Sequence, residues 1–334
     1  MKRKHCVAVL MALIVAAMVC GCSAVGGALR ADPLPSWNDG TVKKNIFHFV
    51  KEVTDSDGTF YVPPDDRIAV FDNDGTLWCE KPLYVPTVFV LHGLSKRAED
   101  HPELRSRQPY KAVWEKDYGY FETLSEQELY QLTVEPFTGM TQTEYVAMAG
   151  HFLKKARHQR FKVPYTSLVY QPMVELLSYL ASNDFEVFIV SGGMAGLMRA
   201  FSREVYDIPP ERVIGTSAMF DYTKRDGKAV LIRKDTLVEP ICDWDGKAIN
   251  IQLRIGRRPI CAAGNSTGDL EMLEFTADGG APRLILLVHH DDDEREYKYD
   301  AGAEKALDMA KARNWNIVSM KSDFNVMFPF EKPR

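Results

Sequence analysis

Four short runs that are apolar at nearly every position constrain this chain more than any other feature: IAVF (68–71), FEVFIV (185–190), PICAA (259–263) and RLILLV (283–288). A strand with one wet face alternates apolar and polar residues, whereas a strand apolar on both faces belongs in a parallel sheet covered by helices. The segments between and after the runs have helical period, among them QPMVELLSYLAS, DWDGKAINIQLRI, DLEMLEFT and AGAEKALDMAKAR, and a short run, NIVSM, closes the series. Strands alternating with helices predict an α/β fold built on a parallel sheet. One stretch breaks the pattern: SAMFDYTKRDGKAVLIRK alternates around Asp226-Gly227 and reads as a β-hairpin.

The first two runs are far apart, and the residues between them, 79–164, are rich in Trp, Tyr, Glu and Gln with helical spacing and no strand-like run. They read as a helical insertion in a core made of 65–78 and 165–334. Upstream, Lys2, Arg3 and Lys4 precede an apolar stretch over 6–19 that ends in VCGC. The stretch has the length of a signal-peptide core and is short for a bilayer-spanning helix, which wants about 20 apolar residues. VCGC resembles a bacterial lipobox, so residues 1–21 are expected to be cleaved and Cys22 to carry a lipid. Residues 22–64 then form a tether and an N-terminal helix around NIFHFVKEV, and the protein is expected outside the cytoplasm, anchored to a membrane. Cys79, Cys242 and Cys261 remain, which allows at most one disulfide and shows no zinc spacing. A net charge of −5 with mixed signs gives no footprint for nucleic acid.

Three runs end in polar residues at their carboxyl ends: Asp72 and Asp74 (FDNDGT), Ser191 (SGG), and GNSTGD with Asn265 and Asp269. In an open α/β sheet ligands bind beyond the carboxyl ends of the strands, so these groups are expected to meet. Taken alone, Asp-x-Asp-Gly is also an ordinary turn, Ser-Gly-Gly a helix cap, Lys247 a surface lysine and Asp269 an N-cap. An EF-hand is excluded, because its twelfth position is Leu83 where a Glu is needed.

Together these groups resemble the haloacid dehalogenase-like hydrolase superfamily. Asp72, Asp74 and Thr76 match its Asp-x-Asp-x-Thr motif, Ser191 its second motif, Lys247 its third and GNSTGD its acidic fourth, in the right order. The insertion after the first motif and the hairpin between the second and third point to the phosphoserine-phosphatase-like branch. The resemblance implies a Rossmann-like doubly wound sheet with an inserted helical cap, and a Mg²⁺-dependent phosphatase for a small phosphomonoester. Asp72 would be the nucleophile and Asp74 the acid/base. Ser191, Gly192 and Lys247 would hold the phosphoryl group, and Asp72, Asp74, Asn265 and Asp269 the metal. Asn265 stands where an Asp is common, so the site loses a charge. Trp78 and Glu80, just past the loop, are expected to face the leaving group. A phosphotransferase, a phosphonate hydrolase and a non-catalytic binding lipoprotein on the same fold are the competing readings. The acidic HHDDDEREYKYD run, 289–300, is expected to be a solvated loop on the rim, with a second metal site as its alternative.

Overall fold

IAVF forms β1 (Ile68–Phe71), every residue of which is buried, in a computed structural model that describes residues 31–280 and 282–332. The expected signal peptide and Cys22 lie outside the described residues. The other strands follow as β2 (Glu186–Met194), β3 (Val213–Thr216), β4 (Ala218–Arg225), β5 (Lys228–Leu237), β6 (Cys261–Gly264), β7 (Leu284–His289) and β8 (Asn316–Ser319). Six of them make one parallel sheet in the order β3-β2-β1-β6-β7-β8. β3 is missing from the sequence reading. Its four residues, VIGT, include a glycine and are too few for a periodic signal.

Successive side chains of a strand point to opposite faces, and here each face has its own core. Ala69 and Phe71 join Val187, Ile189, Ala263 and Leu286 on one side, while Ile68 and Val70 join Val190, Ala262, Ile285 and Leu287 on the other. Both faces are therefore roofed by helices, as a doubly wound sheet requires. On the first face packs the helix Thr41–Thr54, which buries Val42, Ile46, Phe49, Val50 and Val53 along one stripe. On the second packs Asp245–Arg254, through Ile251, and Leu270–Ala277, through Met272 and Leu273.

β4 and β5 form a separate two-stranded sheet, antiparallel, across a turn in which Asp226 (φ 53°) and Gly227 (φ 75°) are both left-handed. That conformation suits the twist of a two-residue hairpin. Between β1 and β2 every regular element is a helix, with Val85–Asp100 and Gln142–Lys155 the longest pieces. Thr141 and Glu144 cap the latter reciprocally, as Ser125 and Glu128 cap the helix Glu126–Leu132. The insertion's aromatic centre, with Phe89 stacked on Phe137 at 4.8 Å, is continuous with the first sheet core. Residues 33–334 accordingly group as one unit. Cys79, Cys242 and Cys261 are free and buried. Among the described residues no helix is long and apolar enough to cross a membrane.

Candidate active site

Strand order reverses at β1, so the carboxyl ends of β1, β2 and β6 open onto one crevice. Asp72 leaves β1 with its N–H donating to the Ala263 carbonyl at 2.9 Å, which ties the first motif to β6. The chain then folds back on itself: Leu77 N–H reaches the Asn73 carbonyl at 2.8 Å, and Gly75 N–H the Trp78 carbonyl at 2.9 Å. Gly75 sits at φ 75°, and a Cβ there would lie 2.1 Å from Asn265 Nδ2, so both conformation and space demand glycine. The Thr76 hydroxyl lies 3.2 Å from Asn265 Oδ1 and 3.5 Å from Asp72 Oδ2, and so steadies the loop.

Lys247 is buried, with Nζ 2.6 Å from Asp72 Oδ1 and 2.5 Å from Asp269 Oδ1. Burial works against its charge, but Asp269 and then Asp72 more than offset that and hold the ammonium well above its ordinary range. Asp72 is pushed well up, first by burial, which Lys247 opposes and Asp269 and Asp74 reinforce. Asp74 is lifted to about 6, mainly by burial, against the bond from Trp78 Nε1 to its Oδ1 at 2.9 Å. That bond also settles Trp78. It is 1% exposed, stacked on Phe201 at 4.6 Å, and serves the carboxylate without facing a leaving group.

Ser191 does not end its strand. β2 runs on to Met194 with a register shift against β3, and the Ser191 hydroxyl accepts from Gly193 N–H at 3.1 Å. Ser191, Gly192 and Lys247 all line a cavity of about 330 Å³ with Asp72 and Asp74 in its wall. Glu80 lines it too, nearly buried, with Oε1 accepting from Tyr299 at 2.7 Å. The insertion adds Tyr84 and Tyr130, and the stretch before Lys247 adds Asp243, which accepts from the Tyr130 hydroxyl. Sequence reasoning missed Asp243 and Tyr130, since nothing local marks a contact between them.

The run 289–300 is solvated only in part: Asp293, Glu294, Lys298 and Asp300 are exposed, while other members turn inward. His290, Asp292 and Glu296 are 2%, 1% and 0% exposed. Internal donors hold its buried acids; Arg295 Nε, for example, lies 2.6 Å from Asp292 Oδ2. Among the described residues no group of three or more His, Cys, Asp or Glu side chains could hold a metal ion, in this segment or elsewhere.

The expected metal ligands converge only in part. Asp269 is spent on Lys247 through Oδ1 and on the N–H groups of Asn265 and Ser266, both at 3.0 Å, through Oδ2. The Asp74 side chain turns to Trp78. What fits a Mg²⁺ ion is a pair of hard oxygens, the Asp72 carboxylate and the Asn265 amide oxygen, which flank the Thr76 hydroxyl. The donors are hard, and the Lys247 ammonium pairs with Asp72 and Asp269 while Asp74 and Glu80 are buried at the same cavity, so the charge balance also favours a cation.

A family model described as haloacid dehalogenase-like hydrolase matches residues 69–274. No curated protein matches the sequence. Among solved structures, a conserved protein of unknown function from Anaerococcus prevotii DSM 20548 is similar at 17% identity and TM-score 0.52, over 83% of this chain and 91% of that one. A protein of unknown function from Bordetella pertussis Tohama I (16% identity, TM-score 0.48) covers 75% of this chain and 97% of its own. A phosphoserine phosphohydrolase-like protein from Francisella tularensis subsp. tularensis SCHU S4 (15%, 0.40) covers 75% and 94%.

Proposed function

This chain belongs to the haloacid dehalogenase-like hydrolase family, and from that premise we propose that it is a Mg²⁺-dependent phosphatase for a small phosphomonoester. The observation that carries the reading is the buried Lys247 bridging Asp72 and Asp269 at the sheet's switch point. A buried ion pair of this kind is costly to build for stability alone, and here it orients a carboxylate at the wall of a cavity.

An Asp72 oxygen attacks phosphorus, the bond to the leaving oxygen breaks, and the phosphoryl group rests on Asp72 as an acyl phosphate. Asp74, whose carboxyl is lifted to about 6, gives its proton to the departing alkoxide. It then takes a proton from the water that hydrolyses the acyl phosphate, which frees Asp72 and inorganic phosphate. Ser191, the Gly192 N–H and Lys247 hold the phosphoryl oxygens, and the fixed ammonium stabilises charge as it develops. A bound Mg²⁺ supplies neutralisation of the phosphoryl charge, and Asp72, Asn265 and the Asp74 carbonyl would hold it.

The test is phosphate release from a panel of phosphomonoesters with Mg²⁺ and with EDTA, beside Asp72→Asn. Metal-dependent release that the variant abolishes is expected, and undiminished release by Asp72→Asn would remove Asp72 as nucleophile. We also infer an exported, lipid-anchored protein from residues 1–22. Labelling with a radioactive fatty acid that Cys22→Ser eliminates is the expected outcome, and labelling that persists would overturn it.

A further inference from the structure

The segment after β7 reaches back to the catalytic loop at several points. His290, 2% exposed, faces the Gly75 carbonyl through Nε2 at 2.8 Å. A carbonyl oxygen only accepts, so Nε2 carries a hydrogen and donates it. On its other side Nδ1 lies 3.2 Å from Glu296 Oε2, and Oε1 of that carboxylate accepts from Cys79 Sγ at 3.0 Å and the Tyr170 hydroxyl at 3.2 Å. Burial disfavours the Glu296 charge, but His290, Cys79 and the Tyr297 N–H together hold the carboxyl below its usual range. The Tyr299 ring stacks on His290 at 4.3 Å and its hydroxyl reaches Glu80. The far end of the insertion is tied to the same place, since Arg160 donates to the carbonyls of Asp293, Glu294 and Glu296.

We propose that His290 is a positioning residue for the hydrolase reaction: by holding the Gly75 carbonyl, with Glu296 fixing its ring, it sets the turn that carries Asp72 and Asp74. The inference rests on the phosphatase reading above. Gly75 is the pivot of that turn, at φ 75° and without a side chain, so it is where the turn has freedom to drift. A hydrogen bond from a ring wedged between Glu296 and Tyr299 removes that freedom. An in-line attack tolerates little drift, and a misplacement of about 1 Å costs on the order of 100-fold in rate.

The experiment compares His290→Gln and His290→Asn in the full-length protein, with p-nitrophenyl phosphate and Mg²⁺. The Gln amide nitrogen extends to the place of Nε2 and keeps the bond to Gly75, while that of Asn ends near Nδ1 and does not. The Asn variant is expected to lose kcat by about 10–100-fold at nearly unchanged KM, and the Gln variant to stay within about threefold of wild type. A purely structural histidine would give no such split or rescue. Amide exchange over residues 73–78, which needs no activity, is expected to quicken in the Asn variant alone. Equal kcat and equal exchange in the two variants would overturn the proposal. If the Asn variant does not fold, the Gln variant decides: wild-type kcat and exchange support it, and a folded Gln variant with kcat down more than tenfold sinks it. If the wild type itself releases no phosphate, the phosphatase reading fails and the exchange comparison still decides whether His290 holds the turn.

Discussion

At Lys247 one side chain carries two burdens. It pairs with Asp72 and Asp269, both buried, so its removal would leave two uncompensated carboxylates rather than one lost contact. Lys247→Ala is therefore expected to cost about 3–5 kcal/mol of stability in denaturant titrations as well as activity. Asn265 offers the opposite experiment. Asn265→Asp adds one charge at the oxygen that flanks the Thr76 hydroxyl. Calorimetry is expected to show Mg²⁺ binding tightened by about tenfold, because ligand charge count sets affinity at hard-cation sites. Unchanged binding would place the ion away from Asn265. Residues at this scale were legible where their chemistry is contiguous. Asp72, Asp74, Gly75 and Thr76 form one signature, and Ser191, Lys247 and Asp269 become readable once their order is set beside it. His290 and Tyr130 were not legible, since their partners Gly75 and Asp243 lie 215 and 113 residues away and no local pattern encodes such a bond.

Elements show the same division. The long apolar strands could be read because both of their faces are buried, whereas β3 is too short to leave a period. The acidic run 289–300 was misread at its buried members, His290, Asp292 and Glu296, because composition reports charge and says nothing of partners. The roots of the insertion are held by another group of this kind. His158, 1% exposed, places Nε2 2.6 Å from the Lys81 carbonyl, and its Nδ1 accepts from Arg160 and Phe161 N–H at 3.1 and 3.2 Å. An accepting Nδ1 requires a neutral ring. Burial is the main cause of a pKa below 6.5, with Arg160 and Lys162 adding to it and the Lys81 bond and Glu296 opposing. Since the unfolded chain takes up the proton first, this group's contribution is fully present above about pH 6.5 and is lost as pH falls through the folded value. Melting temperatures across pH 4–8 are expected to drop on the acid side more steeply for wild type than for His158→Gln, and parallel curves would refute the assignment.

For the whole molecule the question is whether the helical insertion behaves as a separate body. Its centre is Phe89, in contact with Phe137, Tyr145 and Phe152 at ring-centroid distances of 4.8, 5.6 and 5.1 Å. These rings belong to the same buried cluster as Phe71 of β1 and Ile189 of β2. A body that shares its core with the sheet has no interface to part along without exposing both. The bonds between Tyr130 and Asp243 and between Trp244 Nε1 and Glu126 Oε1, at 3.2 Å, fasten it a second time beside Lys247. Calorimetry of the purified protein is expected to show one unfolding transition, with matching calorimetric and van't Hoff enthalpies. Phe89→Ala, which removes a fully buried ring, is expected to cost about 3–5 kcal/mol and to move that transition down as a whole. A second, earlier transition in the variant, with the main one left in place, would show that the insertion unfolds by itself and that its core only abuts the sheet's.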